Sequence, residues 1–275
     1  MNAIITVANK EFHDGLRNRW VMSISLIFAL LATGLAYFGA AASGQAGFTN
    51  LSTTLVSLAS LAVFVIPLIA LMLAYDGVVG EDESGTLLLL MTYPLSRWQL
   101  VLGKMMGHWM IMAFSTIIGF GLSAIIMGSF ADNTTWAELL MPYTFFITFA
   151  IILGWIFIAI ATMISASVAE KSKAAGLALI VWFIFVFMFD LSLLGLLVGT
   201  EGNVNAELFP YLLLLNPTDV FRLLIISFFA EQQLTGLMAV AQHAQFSMFS
   251  LIVSMLAWFI APVLAAIALF NKRKV

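Results

Sequence analysis

The chain has 275 residues, of which 63% are hydrophobic and 9% charged, and its mean hydropathy is +1.08. Such values lie far outside the range of a soluble core and define a membrane protein. The absence of cysteine excludes a disulfide framework, a thiolate metal site and a thiol nucleophile, and a net charge of −3 with no basic patch gives nucleic acid nothing to bind.

Residues 4–19 are the first predicted element. Ile5, Ala8, Phe12 and Leu16 recur at helical spacing with Lys10, Asp14 and Arg17 on other faces, the pattern of an amphipathic helix lying in the membrane interface ahead of Trp20. Apolar runs at 21–42, 53–75, 106–130, 142–164, 177–199 and 247–270 follow, each near the roughly 20 residues that cross a bilayer. The first is too long for a signal core and is expected to stay, although Ala40-Ala41-Ala42 looks like a small-residue cleavage site.

The stretch 208–230 is apolar enough to suggest a seventh span. Pro210, Asn216-Pro217, Asp219 and Arg222 cut it into halves of about eight and eleven residues, each too short to cross. Asn216 as cap, Pro217 in the first turn and Asp219 at the positive helix end read instead as a helix start. A re-entrant or surface-lying helical hairpin is therefore expected within an outer region 200–246.

Charge sidedness agrees with six spans. With both termini inside, Lys10, Arg17, Arg19, Arg97, Lys104, Lys171, Lys173, Lys272, Arg273 and Lys274 are cytoplasmic, ten of the eleven basic residues, and Arg222 alone is outside. A seventh span would throw Lys272-Arg273-Lys274 across the bilayer. The expected fold is all-α: one transmembrane domain over 1–275, six transmembrane helices, an N-terminal amphipathic interfacial helix, and an outer hairpin between helices five and six.

The loop 80–104 gathers charge between two apolar runs. Gly80 and Gly85 bracket four residues with Thr86 behind, but no lysine follows and Glu81, Asp82 and Glu83 would repel phosphate, so a phosphate loop is excluded. A plain connector would need only polarity and a turn. A coupling element needs a short surface helix, a stop and basic anchors, which Glu83 to Leu90, Tyr93-Pro94, and Arg97 with Lys104 supply. The loop 165–176, with Glu170 and Lys171, shares that face.

Asp190 stands well inside span five between Phe189 and Leu191, so it must face protein or water, either in a substrate path or gate or in a structural pair with Arg222. Met105, His108 and Met112 share one helical face, yet methionine is ordinary flexible packing, and His13 and His243 lack ligand-spaced companions; no metal site is assigned. No catalytic constellation is present either.

An acidic residue followed by Gly85-Thr86-Leu87, a leucine run, Pro94-Leu95-Ser96-Arg97 and Leu102-Gly103-Lys104 resembles the loop between helices two and three of type-two ABC permeases. The resemblance extends over essentially the whole chain. Arg17-Asn18-Arg19-Trp20, Ala40-Ala41-Ala42-Ser43-Gly44-Gln45, Ala74-Tyr75-Asp76 and Leu214-Leu215-Asn216-Pro217-Thr218-Asp219 are similar to permeases serving copper-site maturation in nitrous oxide reductase. It implies a homodimer in the bacterial inner membrane that binds no cofactor itself. A cytoplasmic ABC ATPase would carry ATP and Mg, and a β-helix protein would be the periplasmic partner.

In that resemblance Glu81, Asp82, Glu83, Gly85, Thr86, Arg97, Glu170 and Lys171 would face the ATPase. Asp190 would be the intramembrane or gate residue, and Asn216, Asp219 and Arg222 would meet the periplasmic partner. The implied role is delivery of a sulfur species, or transmission of an ATP-driven change to that partner. A permease of the same class exporting a lipid, peptide or drug is the alternative, and a non-transporting membrane anchor is the alternative of another class.

The charge count makes a topological prediction. A cysteine placed at 273 in this cysteine-free chain should be labelled from the cytoplasmic side alone; labelling from outside would rule out six spans.

Overall fold

The computed structural model describes residues 3–17, 19–38, 51–130, 135–201, 209–229 and 246–273. Asn18, the 40–45 string, His243, Lys274 and the parts 202–208 and 230–245 of the outer region lie outside the described residues. Among those described, the chain is helical without strands. The helices are α1 (Ala3–Arg17), α2 (Trp20–Phe38), α3 (Leu51–Ala74), α4 (Val79–Glu83), α5 (Thr86–Thr92), α6 (Arg97–Phe130), α7 (Trp136–Ser167) and α8 (Lys171–Phe183). A π-turn at Ile184–Met188 leads from α8 into α9 (Phe189–Gly199), and a 3₁₀ segment at Phe209–Leu215 leads into α10 (Pro217–Phe228) and then α11 (Met248–Lys272).

Among the described residues six helices are long and apolar enough to cross a membrane: Val21–Phe38, Thr54–Glu83, Arg97–Phe130, Trp136–Ser167, Lys171–Gly199 and Met248–Lys272. The six expected spans thus match in number and order, with spans three, four and five starting earlier, at Arg97, Trp136 and Lys171, and span two running on to Glu83. The 3₁₀ segment and α10 meet at 113°, bent where Asn216-Pro217 was expected to break the run. The coupling stretch departs in detail from a single helix over Glu83 to Leu90. Gly85 takes φ +71°, a left-handed conformation that side-chain-bearing residues rarely adopt, so the chain turns there and α4 and α5 are separate.

α6 and α7 form the centre. Along α6 the buried residues Gly103, Gly107, Ile111, Ser115, Gly119, Ser123 and Met127 recur every fourth position and make one ridge. Its glycines let backbones approach, the usual device where apolar burial gives helices no drive to associate. A Cβ on Gly103 would stand 2.7 Å from Val7 Cβ; on Gly107 it would collide with Glu11 Cβ and sit 3.0 Å from the Ala8 carbonyl; on Gly119 it would collide with Phe28 Cβ. α1 therefore lies against the start of α6 and α2 against its continuation. Ala8 and Gly15 of α1 are buried there, whereas Ile5 and Leu16 of the apolar stripe point away from the protein.

α6, α7 and α11 are joined by reciprocal bonds: Trp109 Nε1 donates to the Trp155 carbonyl at 3.2 Å and Trp155 Nε1 to the Trp109 carbonyl at 3.1 Å. The Phe259 ring of α11 packs 5.0 Å from that of Trp109. Each indole N–H is thereby satisfied inside the apolar interior.

The glycine ridge can be tested within one helix. Gly107→Ala should destabilise the chain by about 1–3 kcal/mol through overpacking. Gly121→Ala, where an added Cβ meets nothing within 4 Å, should be neutral or slightly stabilising. Thermal unfolding of both variants in lipid nanodiscs makes the comparison.

Candidate functional site

Polar side chains concentrate at two places. The first is the end of the bundle where α1, α4, α5, the start of α6 and the end of α11 meet. The second lies around Asn216.

At the first, the three acids of α4 each reach a different part of the bundle. Glu81 pairs with Lys104 of α6 at 2.6 Å and approaches Lys10 of α1 at 3.8 Å. Asp82 accepts from Arg273 after α11, at 2.5 and 3.1 Å from its Nη2 and Nε. Glu83 accepts from the Lys171 backbone N–H at 2.6 Å, satisfying a free donor at the start of α8. Thr86 donates to the Glu81 carbonyl at 3.2 Å, tying α5 back onto α4 across Gly85.

The flanking residues complete the joint. Arg97 Nη1 donates to the Asn271 carbonyl at 3.1 Å and the Arg273 carbonyl at 2.6 Å, capping α11 where its last carbonyls lack helical partners. Arg273 Nη1 in turn donates to the Ser165 and Ala166 carbonyls at 3.0 and 3.2 Å. Ser165 Oγ accepts from the Val78 and Val79 N–H groups at 3.1 and 3.0 Å, fixing the start of α4 on α7. Lys171 pairs with Asp76 at 2.7 Å, and Glu170 pairs with Lys173 in its own first turn at 2.6 Å.

Lys104, expected as a basic anchor at the start of span three, is held by protein carboxylates. It is 3% exposed and lies between Glu81 and Glu11, the latter at 2.9 Å. Glu11 went unremarked in the sequence because nothing in its spacing betrays a partner 93 positions away. Burial would raise its carboxyl, but the Lys104 ammonium, by charge and by hydrogen bond, outweighs that with help from His108 and Lys10 and holds it at about 2.

At the second site, Asn216 caps α10, its Oδ1 accepting from the Thr218 N–H at 3.1 Å. Its Nδ2 donates to the Phe185 carbonyl at 2.9 Å and to Asp219 Oδ2 at 3.0 Å. Phe185 belongs to the π-turn, which breaks the helical ladder and leaves a carbonyl for Asn216 to take. Arg222 Nη1 donates to Asp219 Oδ1 at 3.2 Å and to Asp190 Oδ2 at 3.3 Å. Asn216, Asp219 and Arg222 thus converge with Asp190 in one cluster.

The bend lies deep: Phe185 is midway along span five, and the Leu214 carbonyl accepts from Trp258 Nε1, midway along α11, at 3.0 Å. Met105, His108 and Met112 are buried side chains of α6. Among the described residues no group of three His, Asp or Glu side chains is placed to hold a metal ion.

A six-span helical bundle whose polar groups form joints between helices has the architecture of a polytopic membrane transport subunit. The chain belongs to the ABC-2 family of transporter proteins, which it matches over residues 5–275. It is 50% identical, over 99% of both chains, to the protein of Stutzerimonas stutzeri named "Probable ABC transporter permease protein NosY". It is 48% identical to the protein of the same name from Pseudomonas aeruginosa, over the full length of both.

Lys104 provides the test of the first site. Lys104→Met leaves Glu11 and Glu81 without their buried cation and should cost about 3 kcal/mol, with Glu11→Gln restoring part of it. Glu11 is lowered from 4.5 to about 2, so its contribution is full above pH 4.5 and is lost as pH falls towards 2. Wild-type stability should therefore drop across that window more steeply than that of Lys104→Met, as thermal unfolding against pH will show.

Proposed function

We propose that this chain is the membrane subunit of an ABC transporter that supports copper-site assembly in periplasmic nitrous oxide reductase. It works as a homodimer in the bacterial cytoplasmic membrane, with both termini cytoplasmic and α1 lying in the interface. A separate cytoplasmic ATPase binds ATP and Mg and performs hydrolysis, so this chain needs no cofactor. A β-helix protein is the periplasmic partner. The cycle moves a sulfur species outward, or transmits the ATP-driven change to that partner. Full-length similarity to the two relatives named NosY supports the physiological role.

The observation that carries the coupling mechanism is the attachment of α4. Its acids reach α1 and α6 through Glu81, the end of α11 through Asp82 and the start of α8 through Glu83. An ATPase pressing on α4–α5 and on the Glu170–Lys171 turn would displace several membrane helices together. The hairpin 209–228 then dips into the bilayer from the outer side as a re-entrant segment, and Asn216, Asp219 and Arg222 position the surface the partner meets. Their mutual contacts favour this indirect role over direct contact.

Glu83→Lys or Arg97→Glu should leave the chain inserted yet weaken ATPase docking or uncouple hydrolysis, since each reverses a charge at the joint. In cells lacking the native permease, each variant should give about tenfold or greater loss of mature copper–sulfide centre, the effect of about 1.4 kcal/mol lost from coupling. Full maturation with normal ATPase co-purification in both variants would defeat the coupling mechanism. Normal assembly without any ATP-dependent effect would mark the chain as an anchor.

A further inference from the structure

The Asp190, Asp219 and Arg222 cluster holds two carboxyls and one guanidinium, so full ionisation leaves it one negative charge in excess. Asp219 is 0% exposed, and both acids are served by the same Arg222 Nη1. Asp219 Oδ1 and Asp190 Oδ2 lie 3.2 and 3.3 Å from that one nitrogen, so two carboxyls crowd a single cation. Asp190 Oδ1 is buried and has no hydrogen-bond partner among the described residues. A pair of acids this close shares its ionisation, with protons leaving in two separate steps.

We propose that Asp190 and Asp219 form a proton-binding site that retains one proton at neutral pH and clasps α10 to span five. The proton enters and leaves through Asp190, the less enclosed of the two acids, whose side chain is 28% exposed whereas that of Asp219 is 0%. Loaded, the site is neutral overall and its contacts agree. Emptied, it sets two carboxylates against each other across one guanidinium, and the clasp between α10 and span five loosens. This holds whichever species the permease serves, and it gives the outer segment a sensitivity to pH that hydrolysis alone does not supply.

The surroundings bring no competing titratable group among the described residues. α3 has none, α7 offers Glu138, whose carboxylate accepts from the Thr135 N–H, and Tyr143, directed at the Met127 sulfur. Lys272 is at the far end of α11, Lys171 and Lys173 at the far end of α8, and Tyr211 of the 3₁₀ segment is exposed. Burial first, and the Asp190 charge second, push the Asp219 carboxyl above its ordinary range against the pull of Arg222. A carboxyl raised on folding contributes stability that is full at low pH and lost as pH rises through the raised value.

The test is an infrared titration of the full-length chain in nanodiscs, followed by thermal unfolding over the same pH range. The wild type should show one protonated-carboxyl band at neutral pH that disappears as the sample is made alkaline, with stability falling in step. Asp190→Asn and Asp219→Asn should each lose the band and flatten the stability profile, because the remaining acid pairs one-to-one with Arg222. Arg222→Gln, which keeps both acids, should move the titration upward by about one pH unit or more. Absence of the band from the wild type overturns the proposal whether or not the variants fold, as does its survival in both asparagine variants.

Discussion

An ammonium group enclosed by protein and lipid must be met by negative charge, and Lys104 imposes that condition on this chain. Two carboxylates answer it, from α1 and α4, elements separated in the chain by α2 and α3. For Glu11 to arrive, α1 must lie directly on α6, which is why Gly103, against Val7, and Gly107, against Glu11 and the Ala8 carbonyl, are glycines. For Glu81 to arrive, α4 must continue the span begun by α3 far enough to reach Lys104 of α6. That placement brings Asp82 to Arg273 and Glu83 to the start of α8.

The second joint answers the backbone rather than a charge. Buried main-chain carbonyls need donors, and the bilayer supplies none. The π-turn in span five presents the Phe185 carbonyl, and the sharp bend at Asn216 presents that of Leu214. Asn216 and Trp258 meet them, so each irregularity is satisfied by a neighbouring element. Pro217 suits this arrangement, because the first turn of α10 needs no N–H from it.

Much of this was legible in the sequence. Six apolar runs, the break at Asn216-Pro217 and the gathering of charge at 80–104 follow from length, hydropathy and turn chemistry, which are local properties. The expected helix over Glu83 to Leu90 failed at Gly85, where the glycine signals a left-handed turn more strongly than the leucines signal continuity. Position at the start of a span marks Lys104 as a basic anchor, whereas its burial depends on α1 covering it, which no local pattern records. Asp190 was traced to Arg222 by scarcity of charge, yet Asp219 as a third member was missed, since a first-turn acid already has a sufficient local explanation in the helix dipole. Pairings such as Asp82 with Arg273 join distant positions and leave no periodic trace.

The two joints act on the same helices. In the most apolar window of α7, 61% of residues are buried, against 17% for span five and 22% for α11. The central helices are held all along their length, so moving them would break a packed core, which resists continuous deformation. Within one chain, span five lacks that lateral support and is instead attached at discrete points, whereas α11 packs along α7 and α6. Span five is tied through Lys171 at one end and through Phe185 and Asp190 further along; α11 is tied through its capped end at one side and Trp258 in its middle. A helix fixed at a few polar points and loosely packed between them moves as a rod. On the coupling proposed above, a push delivered at α4 would meet the least resistance in span five, whose contacts at Phe185 and Asp190 lead to the hairpin around Asn216.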